Sequence, residues 1–189
     1  ALQYEAMRAR VPADRQVRSL AITFVGPVEP EVPVSFEVDV LREGKAVSQV
    51  LGRAMQKGQV VTLIQGSFGA SRPSEVAVTA QPAPEMKHWD DCQELPYVKG
   101  VTPEFMRHLA MRWSVGGLPF TGNTSREMGG WVRLRGDVKE EAVTESHILA
   151  LVDAWPPALM PFLKKPAMGS TLTWTIEFVQ PLLELSTLD

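Results

Sequence analysis

The 189 residues include one cysteine, Cys92, so no disulfide can close within the chain and no Cys-x-x-Cys pair is available for a metal or redox couple. No window approaches the roughly 18 consecutive apolar residues a membrane-spanning helix needs. Formal net charge is −3 and no run of lysine or arginine occurs, which argues against nucleic acid and anionic membrane surfaces as partners. Familiar catalytic signatures are missing as well. "GSFG" at Gly66–Gly69 has the wrong spacing for a nucleophile elbow. There is no phosphate-binding loop and no dinucleotide-binding glycine pattern. His88, His108 and His147 are scattered, without an H-E-x-x-H or thiol neighbours. Each reads as a surface or loop histidine, and neither a metal nor a cofactor is expected. No signal peptide is visible, and the expected location is cytoplasmic.

What is present is ordinary globular material: 44% apolar and 22% charged residues, in a chain long enough to bury a real core. It opens as "ALQYEAMRAR", in mid-helix pattern and without a starting Met, and stops just after a strand-like "PLLELSTLD". We expect truncation at both ends. Residues 1–10 read as a helix tail with Leu2 and Ala6 or Ala9 at helical spacing, ended by Pro12. "VRSLAITFVGPV" has strand composition. Three long strands follow to Ala70, separated by two polar turns around Gly44 and Gly58, with Val34, Phe36, Val38 and Val40 alternating with Ser35, Glu37 and Asp39. From Arg72 to Pro103, proline-rich and aperiodic sequence predicts a connector. "FMRHLAMRWSV" and "WVRLRGDV" read as two strands around a Gly-rich loop, then a helix through "SHILALVDAWPPALM", then a strand in "STLTWTIEFVQPLLEL".

An internal echo organises these elements. "ITFVGPV", residues 22–28, matches "IEFVQPL", residues 176–182, at an offset of 154, and a helix precedes each copy. The expected organisation is a first repeat at 1–71, a connector at 72–103 and a second repeat at 104–189. The second copy lacks the three meander strands.

Asp153 is the carboxylate of an otherwise apolar helix. Pro156 and Pro157 have no N–H, so the carbonyls of Val152 and Asp153 lose their usual donors, and the helix should stop or kink at Trp155. A carboxylate buried at such a break is either satisfied by neighbouring donors or used, and from the residues alone both readings stand. Thr171, Thr173 and Thr175 alternate with Leu172, Trp174 and Ile176, giving one hydroxyl face and one apolar face. For Thr173 and Thr175 simple β-propensity accounts for this.

Taken in order, "VRSLAITFVGPVEPEVPVSFEVDVLREGKAVSQVLGRAMQKGQVVTLIQGSF", "GGWVRLRG", "ESHILALVDAWPPALM" and "STLTWTIEFVQPL" make the chain resemble the acyl-CoA thioesterase II family. That resemblance implies an α+β double hotdog, two repeats of a helix wrapped by an antiparallel sheet. It also implies hydrolysis of fatty acyl-CoA thioesters by an Asp/Thr/Gln set that holds a water. Asp153 matches the family's acid and Thr171 its threonine. The glutamine belongs to a later strand that this sequence does not contain. "TWT" at Thr173–Thr175 departs from the family pattern of Asp-His followed by a small polar residue. If Thr171 points with Thr173 and Thr175 it faces away from the helix side, so either the strand begins after it or a subunit interface completes the site. Two rivals stand beside the thioesterase: a hotdog hydratase or dehydratase, which needs a His paired with Asp153, and a non-catalytic acyl-binding or structural hotdog. A homodimer is expected in each case, because small sheets leave edges to cover.

Overall fold

The computed structural model describes residues 1–76, 78–79, 81–82, 84–136, 143–167 and 169–179. These form two compact units, one within Ala1–Ala77 and Gly169–Leu183, the other within Val78–Met168 and Glu184–Asp189.

The first unit is a helix on an antiparallel sheet. Helix α1 (Leu2–Arg8) precedes strands β1 (Arg15–Phe24), β2 (Ser35–Glu43), β3 (Val47–Gln56) and β4 (Gln59–Ala70). The expected meander is present, and β7 (Thr173–Glu177) joins it in the spatial order β2-β3-β4-β1-β7. The second turn is a two-residue hairpin, with both Lys57 (φ 52°) and Gly58 (φ 75°) in the left-handed region that such turns require. At seven residues α1 is too short to persist alone, so packing holds it. Its inward face differs from the one the spacing suggested. Gln3, Tyr4 and Met7 are buried, whereas Leu2 is 73% exposed. The apolar bulk of Tyr4 and Met7 seats better on the sheet than a stripe of Leu2 and small alanines. The sheet makes room through its glycines. A side chain on Gly52 would meet Met7 Sδ at 2.7 Å, and one on Gly66 would meet Phe68 at 2.8 Å and Met7 at 3.0 Å. Around this contact Leu20, Val50 and Phe68 are wholly buried. The alternation in β2 does not produce a buried face. As the edge strand it leaves Phe36 and Val40 exposed.

The second unit centres on a two-stranded sheet, β5 (Leu109–Gly116) with β6 (Met128–Leu134). Phe105–His108, expected as strand, fall in a 3₁₀ turn, Glu104–His108, ahead of β5. The end of "WVRLRGDV" at 137–138 lies outside the described residues. One sheet face carries Leu109, Met111, Val132 and Leu134, packed with Leu95, Met106, Leu151, Ala154 and Trp155. Part of the expected connector is structured. Leu95 donates to the Met111 carbonyl at 2.8 Å and Glu94 bridges to Arg112, extending the free edge of β5. On the opposite face Trp89 lies under two guanidinium groups, Arg112 at 4.3 Å and Arg133 at 4.7 Å from the ring centroid. Trp131 Nε1 donates to the Lys87 carbonyl at 2.8 Å.

Candidate functional site

Helix α2 (Glu145–Asp153) carries the candidate acid. It starts in a capping box: the Thr144 N–H donates to His147 Nδ1 at 3.1 Å, and Thr144 Oγ1 lies 2.9 Å from the same nitrogen. His147 is therefore a helix cap, a role its isolated position in the sequence did not disclose. The helix ends as the two prolines dictate. Ala154 is its C-cap, and the Val152 carbonyl accepts from the Trp155 N–H at 3.4 Å instead of from a fourth residue onward. The chain then runs into a 3₁₀ turn at Met160–Phe162. The β5–β6 loop clamps that turn: Phe120 N–H donates to Met160 O at 2.9 Å, Asn123 to Pro161 O at 2.8 Å and Gly122 to Leu163 O at 3.0 Å. The segment after Asp153 is thus held by backbone bonds from another part of its own unit.

Asp153 itself is exposed, which corrects the expectation of a carboxylate in a buried helix. The physical reason is the narrowness of the support. A two-stranded sheet covers only one strip of α2, so Leu149 is 6% exposed while Ala150, Val152 and Asp153 face outward. Among the described residues Asp153 has no side-chain hydrogen bond or ion pair. The tryptophan beside it turns inward: Trp155 packs on Trp113, ring centroids 5.3 Å apart, with the Trp113 Nε1 buried and without an acceptor among the described residues.

Thr171 is also exposed and lies before β7, which starts at Thr173. Of the two arrangements open from the sequence, the strand does begin after Thr171. Thr173 and Thr175 occupy the exposed face of β7, and Trp174 and Ile176 the half-buried one. Asp153 belongs to the second unit and Thr171 to the first.

The histidine pairing that a hydratase needs is not made. His88 accepts from the Asp90 N–H, His108 is bonded to Arg107 Nε at 3.0 Å, and His147 caps α2. None of the three is bonded to Asp153. Sequence reasoning also missed a group of cations around the β2–β3 turn, Arg15, Arg18, Arg42 and Lys45. They are far apart in the chain and no motif joins them.

Residues 1–69 match the model of the acyl-CoA thioesterase N-terminal domain and residues 80–184 that of the C-terminal domain. The chain belongs to the acyl-CoA thioesterase family. A search among curated proteins finds no match. Among solved structures, a conserved protein with a hot dog fold from Alicyclobacillus acidocaldarius aligns with a TM-score of 0.78 at 22% identity, covering 94% of this chain and 64% of that one. The tesB protein of Mycobacterium avium subsp. paratuberculosis aligns at 0.69 and 21% identity, covering 96% and 66%. An acyl-CoA thioesterase II from Mycobacterium marinum aligns at 0.59 and 20%, covering 80% and 55%. The fold is the α+β hotdog, and the chain spans less than two thirds of the first of these structures.

Proposed function

We propose that the protein hydrolyses acyl-CoA thioesters to a free acid and CoA, with Asp153 handling the attacking water. The observation that carries this reading is a carboxylate at the end of α2 without a partner among the described residues, in a chain whose two halves match the paired domains of acyl-CoA thioesterases. An exposed carboxylate with vacant lone pairs can accept a proton from water. As the water oxygen bonds to the thioester carbonyl carbon, its proton passes to Asp153. The tetrahedral intermediate collapses with cleavage of the carbon–sulfur bond, and the CoA sulfur leaves. Exposed apolar side chains on the same helix-to-turn segment, Val152, Leu159 and Phe162, offer the acyl chain a surface.

Release of free thiol from short-, medium- and long-chain acyl-CoA tests the proposal. Hydrolysis above the uncatalysed rate, with a chain-length optimum, is the expected result. Saturable acyl-CoA binding without thiol release would leave the acyl-binding reading in its place.

A further inference from the structure

The first unit carries a set of positive charges that it does not neutralise. Arg15, the first residue of β1, is 7% exposed. One of its terminal nitrogens bonds Ser48 Oγ and the other donates to the Gly44 carbonyl at 2.7 Å. Both acceptors are neutral, and Nε is buried with no acceptor among the described residues. A buried guanidinium ordinarily sits against a carboxylate, because desolvating the charge costs several kcal/mol. Three more cations gather around the same turn. Arg18 lies along Gly69 and donates to its carbonyl at 3.2 Å, and the next residue, Ala70, donates its N–H to Ala46 O at 2.9 Å. Arg42 Nε lies 3.9 Å from where a side chain on Gly44 would begin. Lys45 sits at the exposed tip of the turn. The nearby carboxylates in sequence, Asp14 and Glu43, are exposed, and among the described residues neither they nor these four cations take part in an ion pair. This accumulation contrasts with a net charge of −3 for the chain.

We infer that the β2–β3 turn, with Arg18, Arg42 and Lys45 as contacts and Arg15 as a buried source of field, binds a phosphate-bearing ligand. Arginine forks and a lysine point charge suit phosphate oxygens, and a cation screened from water acts over a longer range than an exposed one. Resting on the proposed function, the ligand is the phosphorylated nucleotide end of CoA. A free nucleotide presents the same chemistry and is the other source.

Calorimetric titration at low salt with CoA, adenosine 3′,5′-bisphosphate, ADP and pantetheine separates these sources without using hydrolysis. Arg42→Gln and Lys45→Gln are at exposed positions, so the fold should survive, as an unchanged melting temperature will verify. Binding of CoA and the bisphosphate, absent for pantetheine and weakened about tenfold by each substitution, is the expected result. Equal binding of ADP, equally weakened, upholds the phosphate site and assigns it to nucleotides generally. No binding by any phosphate compound, or binding that both variants retain in full, overturns the inference. Because thiol release is not the readout, failure here is separate from failure of the thioesterase reading.

Discussion

Ala21 of β1 lies directly opposite Thr175 of β7, and the two are equivalent positions of the internal echo at offset 154. The ladder on either side repeats itself. Phe24 N–H donates to Leu172 O at 2.9 Å, and its counterpart Phe178 N–H donates to Arg18 O at 2.8 Å. Leu172 is the counterpart of Arg18. The bond is made twice, once in each direction, about a local two-fold axis between Ala21 and Thr175. The two segments of the echo thus pair with each other inside the first unit. Alternation of the antiparallel ladder places Leu20 and Ile176 as a hydrogen-bonded pair. Ile176→Pro removes one donor from it. Loss of hydrogen-exchange protection at Phe24 and Phe178, with a lower melting temperature, is expected.

Clearance between α1 and its sheet depends on Gly52. Gly52→Ala forces Met7 aside and should destabilise the protein by about 1–3 kcal/mol. Met7→Leu, which removes the thioether atom in closest approach, should recover part of that loss in the double variant. Denaturant melts of the four proteins measure the coupling.

Helix α2 depends on His147 at its start. His147→Ala removes the acceptor for the Thr144 N–H and should cost about 1 kcal/mol. Protection of the α2 amides, followed by hydrogen exchange, should fall while that of β3 and β4 stays unchanged.

Tyr97 donates a hydrogen bond to Glu104 at 2.8 Å, which holds the phenol protonated and raises its pKa above the ordinary tyrosine value. The raised folded pKa means this contribution to stability is complete at neutral pH and is lost as pH rises through the folded value. In ultraviolet titration Tyr97 should ionise later than a free tyrosine. Glu104→Gln should bring its midpoint down.

Strand and turn order was readable because periodicity and glycine-bearing turns act locally. The meander from Ser35 to Ala70, the hairpin at Lys57-Gly58 and the stop before Trp155 all follow from neighbouring residues. What escaped the reading depends on tertiary context. Apolar sequence around Asp153 suggested burial, but exposure is decided by how wide a sheet α2 rests on. Leu2 looked like a core residue until Tyr4 and Met7 set the helix rotation. The site's two candidate residues were legible only through family resemblance, since an aspartate in an apolar helix and a threonine before a strand carry no chemistry by themselves. Arg15, Arg18, Arg42 and Lys45 share one turn only because β1, β2, β3 and β4 end together.

The most direct test compares the purified protein with its Asp153→Asn variant for thiol release from acyl-CoA, alongside circular dichroism and melting curves of both. Asparagine keeps the shape and removes the proton acceptor, and at an exposed position it should leave stability nearly unchanged. The account predicts a loss of turnover on the order of 10²- to 10⁴-fold with folding intact. Undiminished turnover by the Asp153→Asn protein would contradict it, and the water would then have to be activated elsewhere.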